Sequence, residues 1–488
     1  MTNTLCFALA GSELTLWWEK IASFTGEYTV ETDGKLAGKT AKTHFSVPSA
    51  EKDMHICVKA EKEYVGEIDF HHKISGRRVS ALEFGAKGDG ISMNTDALQK
   101  AIDSLAFGEE LYIPAGIYLT GALRLHSNMA LYLDEGATIQ GTDDPADYLP
   151  KIPSRFEGYE MECYQSLLNL GYMDHASGTN CKNVLIYGKG TLSGGGQPLC
   201  LNVIAREREL MKDYLASLGD KIKDYENNHT IPARPRGRLI NLSNCENVRI
   251  TGLTLKNGAS WNVHMLYSKN IVTDHCVFRS ENVWNGDGWD PDSSENCTLF
   301  ASEFFTGDDS VAIKSGKNPE GNIINRPTKH IRVFDCLSHK GLGIAIGSEM
   351  SGGVEDVRIW DCDLINSLYG VQIKATKKRG GYVRDVHISD CRLSRFLICA
   401  VKYNDDGEGS PVPPRFENIS LKRCYLSGWA REYWEKEEHR MAAIDISGFG
   451  EGEDRAKNIT ASACTLGPEA MVKLSACESV KLDFVKVE

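Results

Sequence analysis

The 488-residue chain has no uninterrupted apolar run of roughly eighteen residues or more, the length a membrane-spanning helix needs. No membrane partner is expected. It also lacks a CxxC pair and the dense spacing of a disulfide framework, its fifteen cysteines being odd in number and scattered. They read as reduced, buried thiols rather than metal ligands. The 55 lysines and arginines face 67 acidic residues for a net charge of −12. That argues against nucleic acid, because a phosphate-binding surface shows as a basic patch. An anionic substrate would need a few well-placed basic residues working against this global field. The opening MTNTLCFALAGSELTLWWEK has no basic segment ahead of its apolar residues and breaks at Gly11, Ser12 and Glu13. That is a poor secretion signal, and a cytoplasmic location is the expectation.

What is present is ordinary for a soluble globular protein, 41% hydrophobic and 25% charged. The length allows two or three domains, or one large solenoid with a small appendage. Residues 1–76 alternate apolar and polar positions in short runs, LTLWW, EYTVET, THFSV and MHICVKA, separated by turn signals such as Asp33-Gly34. They resemble a fibronectin type III β-sandwich with Trp17 or Trp18 as its core tryptophan. From residue 77 the character changes. After EFGAKGDG, Asn94 is placed to cap the amphipathic segment TDALQKAID, and many short glycine-broken strands follow. A helix in that place would cover the open end of a stack of strands.

A repeat then decides the fold. Asn, Asp or His, followed by Val or Ile, with Cys six residues after the first position, recurs at Asn270 and Cys276, His330 and Cys336, Asp356 and Cys362, Asp385 and Cys391, Asn418 and Cys424, and Asn458 and Cys464. Asn183, Asn247 and Asn296 begin the pattern without that final cysteine. Successive starts from Asn247 to Asn458 lie 23 to 40 residues apart, too short and variable for βαβ units but suited to coils whose turns take insertions. The expected fold of residues 77–488 is all-β, a right-handed parallel β-helix with the cysteines as an inward ladder of small apolar groups. A partly helical insertion is expected around 190–236, helical over 204–223, with Leu210, Met211, Tyr214 and Leu215 on one face.

The chemistry gathers at NGDGWD and TGDDS. Asp287 and Asp308 stand 21 residues apart, about one coil, so stacking brings Asp287, Asp308 and Asp309 onto neighbouring strand ends roughly 5 Å apart. Crowded carboxylates repel, and at least one should hold its proton to a higher pH than a free aspartate. An acid to protonate a leaving oxygen and a base to activate water are what glycosidic cleavage needs. The same residues taken alone also fit a Ca²⁺ site of a lyase or a turn ladder without chemistry.

From EFGAKGDG through IPAGIY, RPRGRLINLSNCENVRI, NGASW, NGDGWD, TGDDSVAIKSG and GSEMSGG to VQIKATKKRGGYV, the sequence is similar to glycoside hydrolase family 28, the polygalacturonase family. The resemblance covers about residues 79–480. It implies hydrolysis of α-1,4-galacturonosyl linkages in pectic oligosaccharides with inversion, Asp308 as general acid and Asp287 with Asp309 activating water. No cofactor or metal is implied. A spacing of about 5 Å is usually associated with retention; three carboxylates holding one water need not follow that two-carboxylate rule. By the same resemblance Lys374 and Tyr403 match sugar contacts of the family, Gln372 is a substrate-binding candidate where the family has arginine, and Lys314 is as suited to holding the Asp308 and Asp309 turn as to touching substrate. The family's threonine in NTD is Gly286 here, its GHG is Gly341-Leu342-Gly343, and its RIK is Gln372-Ile373-Lys374. His339 is the candidate to replace the lost imidazole. With an arginine and a histidine missing, a rhamnogalacturonan-type backbone stands beside homogalacturonan, and a β-helix that binds polysaccharide without cleaving it is the non-enzymatic alternative. The insertion and the N-terminal sandwich are expected to block one groove end and favour exo action. Oligomeric state is not legible in the sequence.

Overall fold

The computed structural model describes all residues except 1–4, 23, 49, 62, 73–75, 221–234, 402–407, 432–436, 451–455, 484–485 and 488. The chain divides into two units, Met1–Arg77 and Arg78–Glu488.

The first unit is two antiparallel sheets. Cys6–Ala10, Glu13–Trp17 and His44–Val47 form one; Lys35–Thr40, Tyr28–Thr32, Met54–Ala60 and Glu63–Phe70 form the other. Alternation puts Leu14, Leu16, Val30, Ile56 and Val58 between them. Trp18 rather than Trp17 is the core tryptophan, buried edge-to-face with Tyr28, the ring centres 5.1 Å apart.

The second unit is a three-sheet parallel β-helix. Among the described residues two sheets have 13 strands and one has 11, and each full coil gives one short strand to each sheet. The coil that carries NGDGWD, for example, contributes Lys269–Asp274, Val277–Arg279 and Trp289–Asp292. Val, Ile, Leu and Cys from all three sheets fill the interior.

The structure explains the repeat physically. Its first residue sits in the left-handed region each time, from Asn247 (φ 56°) and Asn270 (56°) through His330 (58°) and Asp356 (51°) to Asn458 (54°). Asn, Asp and His tolerate that conformation best among residues with a Cβ. The asparagines then bond along the stack, Asn247 Nδ2 donating to Asn183 Oδ1 at 3.1 Å, Asn270 to Asn247 at 3.1 Å and Asn296 to Asn270 at 3.2 Å. The next residue, such as Ile271 or Val357, drops into the core. The repeat cysteines are 1–3% exposed, inside as expected. Burial pushes the Cys276 thiol up to about 12, which keeps it protonated and inert.

Thr95–Asp103 is the helix at the N-terminal end, with Leu98, Ala101 and Ile102 buried against the core. Asn94 does not cap it through its side chain. Its Oδ1 instead accepts from the Lys87 amide at 2.6 Å and its Nδ2 donates to the Ser92 carbonyl at 2.7 Å, so this buried amide ties down the EFGAKGDG loop. The insertion is helical over Gly196–Leu210 and Lys212–Leu218, starting earlier than the sequence implies. Its anchored face is Leu199, Cys200, Val203 and Ile204. Leu210 and Tyr214 are exposed, so the apolar face expected there does not pack; the contacts are made by the first half of the longer helix, which lies against the solenoid.

Candidate active site

Third-sheet strands Trp289–Asp292 and Val311–Ile313 are neighbours, with Trp289 opposite Val311. The register carries into the preceding turns, where the Gly288 amide donates to the Asp309 carbonyl at 2.9 Å and the Trp289 amide to the Ser310 carbonyl at 3.2 Å. Asp287 therefore stacks on Asp309, and Gly286 on Asp308. Gly286 has a physical reason: a Cβ there would lie 2.7 Å from the Ser280 carbonyl oxygen and 2.8 Å from that of Val283. At Gly288 a Cβ would come within 2.4 Å of the Ser310 carbonyl oxygen.

All three aspartates line one cavity of about 380 Å³, with Lys314, Lys374, Trp261 and Leu342 among its walls. Lys374 Nζ donates to Asp309 Oδ2 at 3.2 Å. Lys314 Nζ lies 3.4 Å from Asp287, 3.8 Å from Asp290 and 3.2 Å from Glu349, and 4.5 Å from the centre of the Trp261 ring. Among the described residues of this shell, five carboxylates, Asp287, Asp290, Asp308, Asp309 and Glu349, meet two ammonium groups.

That imbalance sets the protonation. Burial, then Asp309, pushes Asp308 up to about 6, against the pull of Lys374 and Lys314. Burial, then Asp290, raises Asp287 well above the ordinary carboxylate value. Burial also raises Asp290, whose two oxygens have no hydrogen-bond partner among the described residues. Burial opposes the charge on Lys314, but Glu349, Asp287 and Asp290 outweigh it and hold the ammonium. Water shed from such a site leaves charges that only neighbours can compensate, so protons are retained where ammonium groups run short.

Asp290 and Glu349 are missed by the sequence reading. Asp290 stands inside NGDGWD itself, but in the strand rather than the turn, beneath the cavity. The cavity also has an unforeseen wall, the hairpin Ile152–Phe156 and Tyr159–Cys163, whose turn residue Glu157 lines it. Arg155, fully buried, fixes this hairpin to the solenoid by donating to Asp292 at 2.7 Å and Ser293 at 2.9 Å and by a short hydrogen bond to Tyr267. Phe156 stacks on Trp261 at 5.0 Å, and the Lys317 amide reaches the Gly158 carbonyl at 3.0 Å.

Other predicted contacts separate. His339 belongs to the second-sheet strand Leu337–Lys340, where it pairs with Glu303 at 2.9 Å and stacks on Phe305 at 4.3 Å. It does not line the cavity, because the turn to the third sheet begins only after it. Leu342 occupies the wall instead, its amide donating to the Asp308 carbonyl at 3.0 Å. Gln372 shares a strand with Lys374, but its Nε2 turns to Cys399 Sγ at 3.3 Å and it is not part of the cavity lining. Tyr403 lies outside the described residues.

Fold and site together define a class, a parallel β-helix presenting stacked aspartates in an outward cavity. The chain belongs to the Glycosyl hydrolases family 28, whose family model matches residues 110–409. It is 36% identical over 325 residues to a probable polygalacturonase of Vitis vinifera, covering 63% of this chain and 59% of that protein. It is 28% identical over 372 residues to the exo-poly-alpha-D-galacturonosidase of Dickeya chrysanthemi, covering 70% of this chain and 61% of that protein. The chain thus spans about three-fifths of the length of these curated relatives. Among solved structures, the Yersinia enterocolitica family 28 exopolygalacturonase shares the fold, with TM-score 0.80 at 23% identity over 99% of this chain and 96% of that one. An exopolygalacturonase from Thermotoga maritima superposes with TM-score 0.67 at 28% identity, covering 85% of this chain and 91% of that one.

Proposed function

We propose that the protein hydrolyses α-1,4-galacturonosyl linkages of pectic oligosaccharides from chain ends, with inversion. Asp308 protonates the leaving oxygen, and Asp287 with Asp309 holds and activates the attacking water. The observation that carries this reading is the cavity itself: three aspartates around one space, with Asp308 pushed up to about 6 and so able to hold a proton that a free carboxyl would have lost. Lys374 and Lys314 offer the positive charge an acidic sugar needs, and Trp261 an aromatic face.

The hairpin supports exo action. Its turn lies on the cavity, and it is tied to later coils by the Gly158 carbonyl, by Tyr159 donating to the Asn318 carbonyl at 3.0 Å, and by the Glu160 amide donating to Glu320 at 2.8 Å. A polymer running along the stack would meet this strap. Dickeya and Yersinia relatives carry exo-acting names, in keeping with that reading. Hydrolysis of reduced-end-labelled oligogalacturonides tests it: monomer alone from the first minutes is expected, and a ladder of intermediate products would overturn exo action. Proton NMR of the first-formed anomer tests inversion.

One observation favours a second reading, a substrate that alternates neutral and acidic sugars. Leu342 places an apolar side chain where the family pattern has histidine, and both cavity lysines are already paired with aspartates. Faster cleavage of rhamnogalacturonan than of homogalacturonan oligomers would decide for it.

A further inference from the structure

A second cavity, of about 570 Å³, opens on earlier coils where the second sheet turns toward the third. One wall is a row of side chains in register on successive strands, Gln140 opposite Ser193 and Ser193 opposite Lys256. Each follows an inward residue, Ile139, Leu192 or Leu255, so each points outward. Facing them are Gly194 and Gly195 and the start of the 15-residue helix Gly196–Leu210. A Cβ at Gly194 would lie 2.2 Å from the Asn257 carbonyl oxygen, and one at Gly195 the same distance from that of Thr142, so only bare backbone lets this helix end approach the sheet.

Two groups in this cavity await a partner. Ser193 is 2% exposed, yet its hydroxyl makes no hydrogen bond among the described residues while lining the cavity. Its oxygen is open to the space of the cavity, where a ligand hydroxyl can take the place of water. Lys256 has no ion-pair partner among the described residues, and the adjacent helix N-terminus adds to its positive field. Asn257 and Asn282 bring amides, and Leu119 and Val283 bring apolar surface. Asp143 is its one carboxylate among the described residues.

We propose that this cavity is a second saccharide site, which holds the carboxylate-bearing ring of a sugar acid without cleaving it. Lys256 and the helix N-terminus take the carboxylate, Ser193 and the asparagine amides take ring hydroxyls, and the apolar residues meet C–H faces. The volume suits one or two pyranose rings, within the usual range of roughly 300–1,000 Å³ for small-ligand pockets. A single carboxylate gives no acid and base pair, so no reaction is assigned here. Val283 lines this cavity and Asn285 the catalytic one, so a short loop separates the two. The choice of a uronic acid rests on the proposed function; the pairing of an anion with hydroxyls does not.

Calorimetric titration of the full chain with galacturonic acid should show a binding equivalent that survives Asp308→Asn and weakens about tenfold or more in Lys256→Met, the range for losing one charge-assisted contact. Lys256→Arg should keep it, Ser193→Ala should weaken it severalfold, and galactose should bind this equivalent at least about tenfold more weakly than galacturonate. Hydrolysis of short oligomers by Lys256→Met should stay within about twofold of wild type, since Lys256 lines no part of the catalytic cavity. No equivalent that depends on Lys256 would overturn the proposal. Equal binding of inorganic phosphate, with none of galactose, would overturn the sugar reading in favour of a plain anion site. A chain that hydrolyses no galacturonan but keeps binding sensitive to Lys256 would sink the proposed function and leave this site standing.

Discussion

Two stacks of polar side chains climb the same solenoid and behave oppositely. On the first sheet, Asn183, Asn247, Asn270 and Asn296 pass hydrogen bonds from coil to coil, the first three amides each both donor and acceptor. At the edge of the third sheet, Asp287 stacks on Asp309 beside Asp308, and an ionised carboxylate side chain has no proton to donate to the next. An amide ladder satisfies itself because each rung carries both kinds of group. A carboxylate ladder must import charge or keep protons, and here it does both through Lys314, Lys374 and the raised Asp308. The same stacking geometry stabilises in one place and stores reactivity in the other.

Asp308→Asn cuts hardest at this contrast. It keeps shape and removes the proton donor, and should lower kcat on oligogalacturonides by about 10²–10⁴-fold while binding changes little. Unchanged kcat would remove Asp308 from the role of acid.

Next in size is the buried arginine–carboxylate pair on the strand beside the catalytic stack. Asp292 lies two residues beyond Asp290, yet Arg155 and His264 hold it well below the ordinary carboxylate range despite its burial. Arg155→Met would strand that charge and free the hairpin, with an expected loss of about 3–5 kcal/mol in urea unfolding and intermediate products from oligomers. Wild-type stability with monomer-only products would show that the hairpin is held by other contacts.

Proton linkage separates the groups further. Asp308 holds its proton more tightly folded, at about 6, than its ordinary 3.8. Its contribution to stability is therefore complete below about 3.8 and lost as pH rises through about 6. Asp292 has the opposite sign, its contribution present above 3.8 and lost as the solution is acidified below that. Catalysis should follow Asp308, kcat/KM falling about tenfold per unit above pH 6. A profile flat to pH 8 would contradict a protonated acid in the free enzyme.

The smallest expected effect lies in the satisfied stack. Asn270→Ala removes a rung and leaves a residue with a Cβ at φ 56°, an expected cost of about 1–2 kcal/mol in thermal or urea unfolding with kcat unchanged. A loss as large as that of Arg155→Met would mean that the two stacks differ less than their chemistry implies.

Much of this was legible in the residues. The recurrence of Asn, Asp or His before Val or Ile, and of Cys six residues on, marks one left-handed rung and one inward side chain per coil, so the coil and the stacking of Asp287 on the TGDDS turn could be read directly. Other readings failed for identifiable reasons. Asn94 stands where a cap belongs, but its amide finds better partners in Lys87 and Ser92. His339 is two residues from GLG, yet a strand end and a turn lie between them, and it faces Phe305 and Glu303. Leu210 and Tyr214 keep helical spacing, but the solenoid surface meets only the helix half before them.

By itself, then, the sequence determined the coil, its cysteine and asparagine ladders and the three aspartates at one strand edge, since these follow from backbone preferences and a side-chain period that act over a few residues. Tertiary structure alone decided which charges those aspartates meet and how the cavity is walled. Arg155 reaches Asp292 across 137 positions of sequence, and Lys374 reaches Asp309 across 65. Such pairings depend on where whole coils and a hairpin come to rest, which no local spacing encodes; burial and Asp309 then hold the proton on Asp308 against the pull of Lys374.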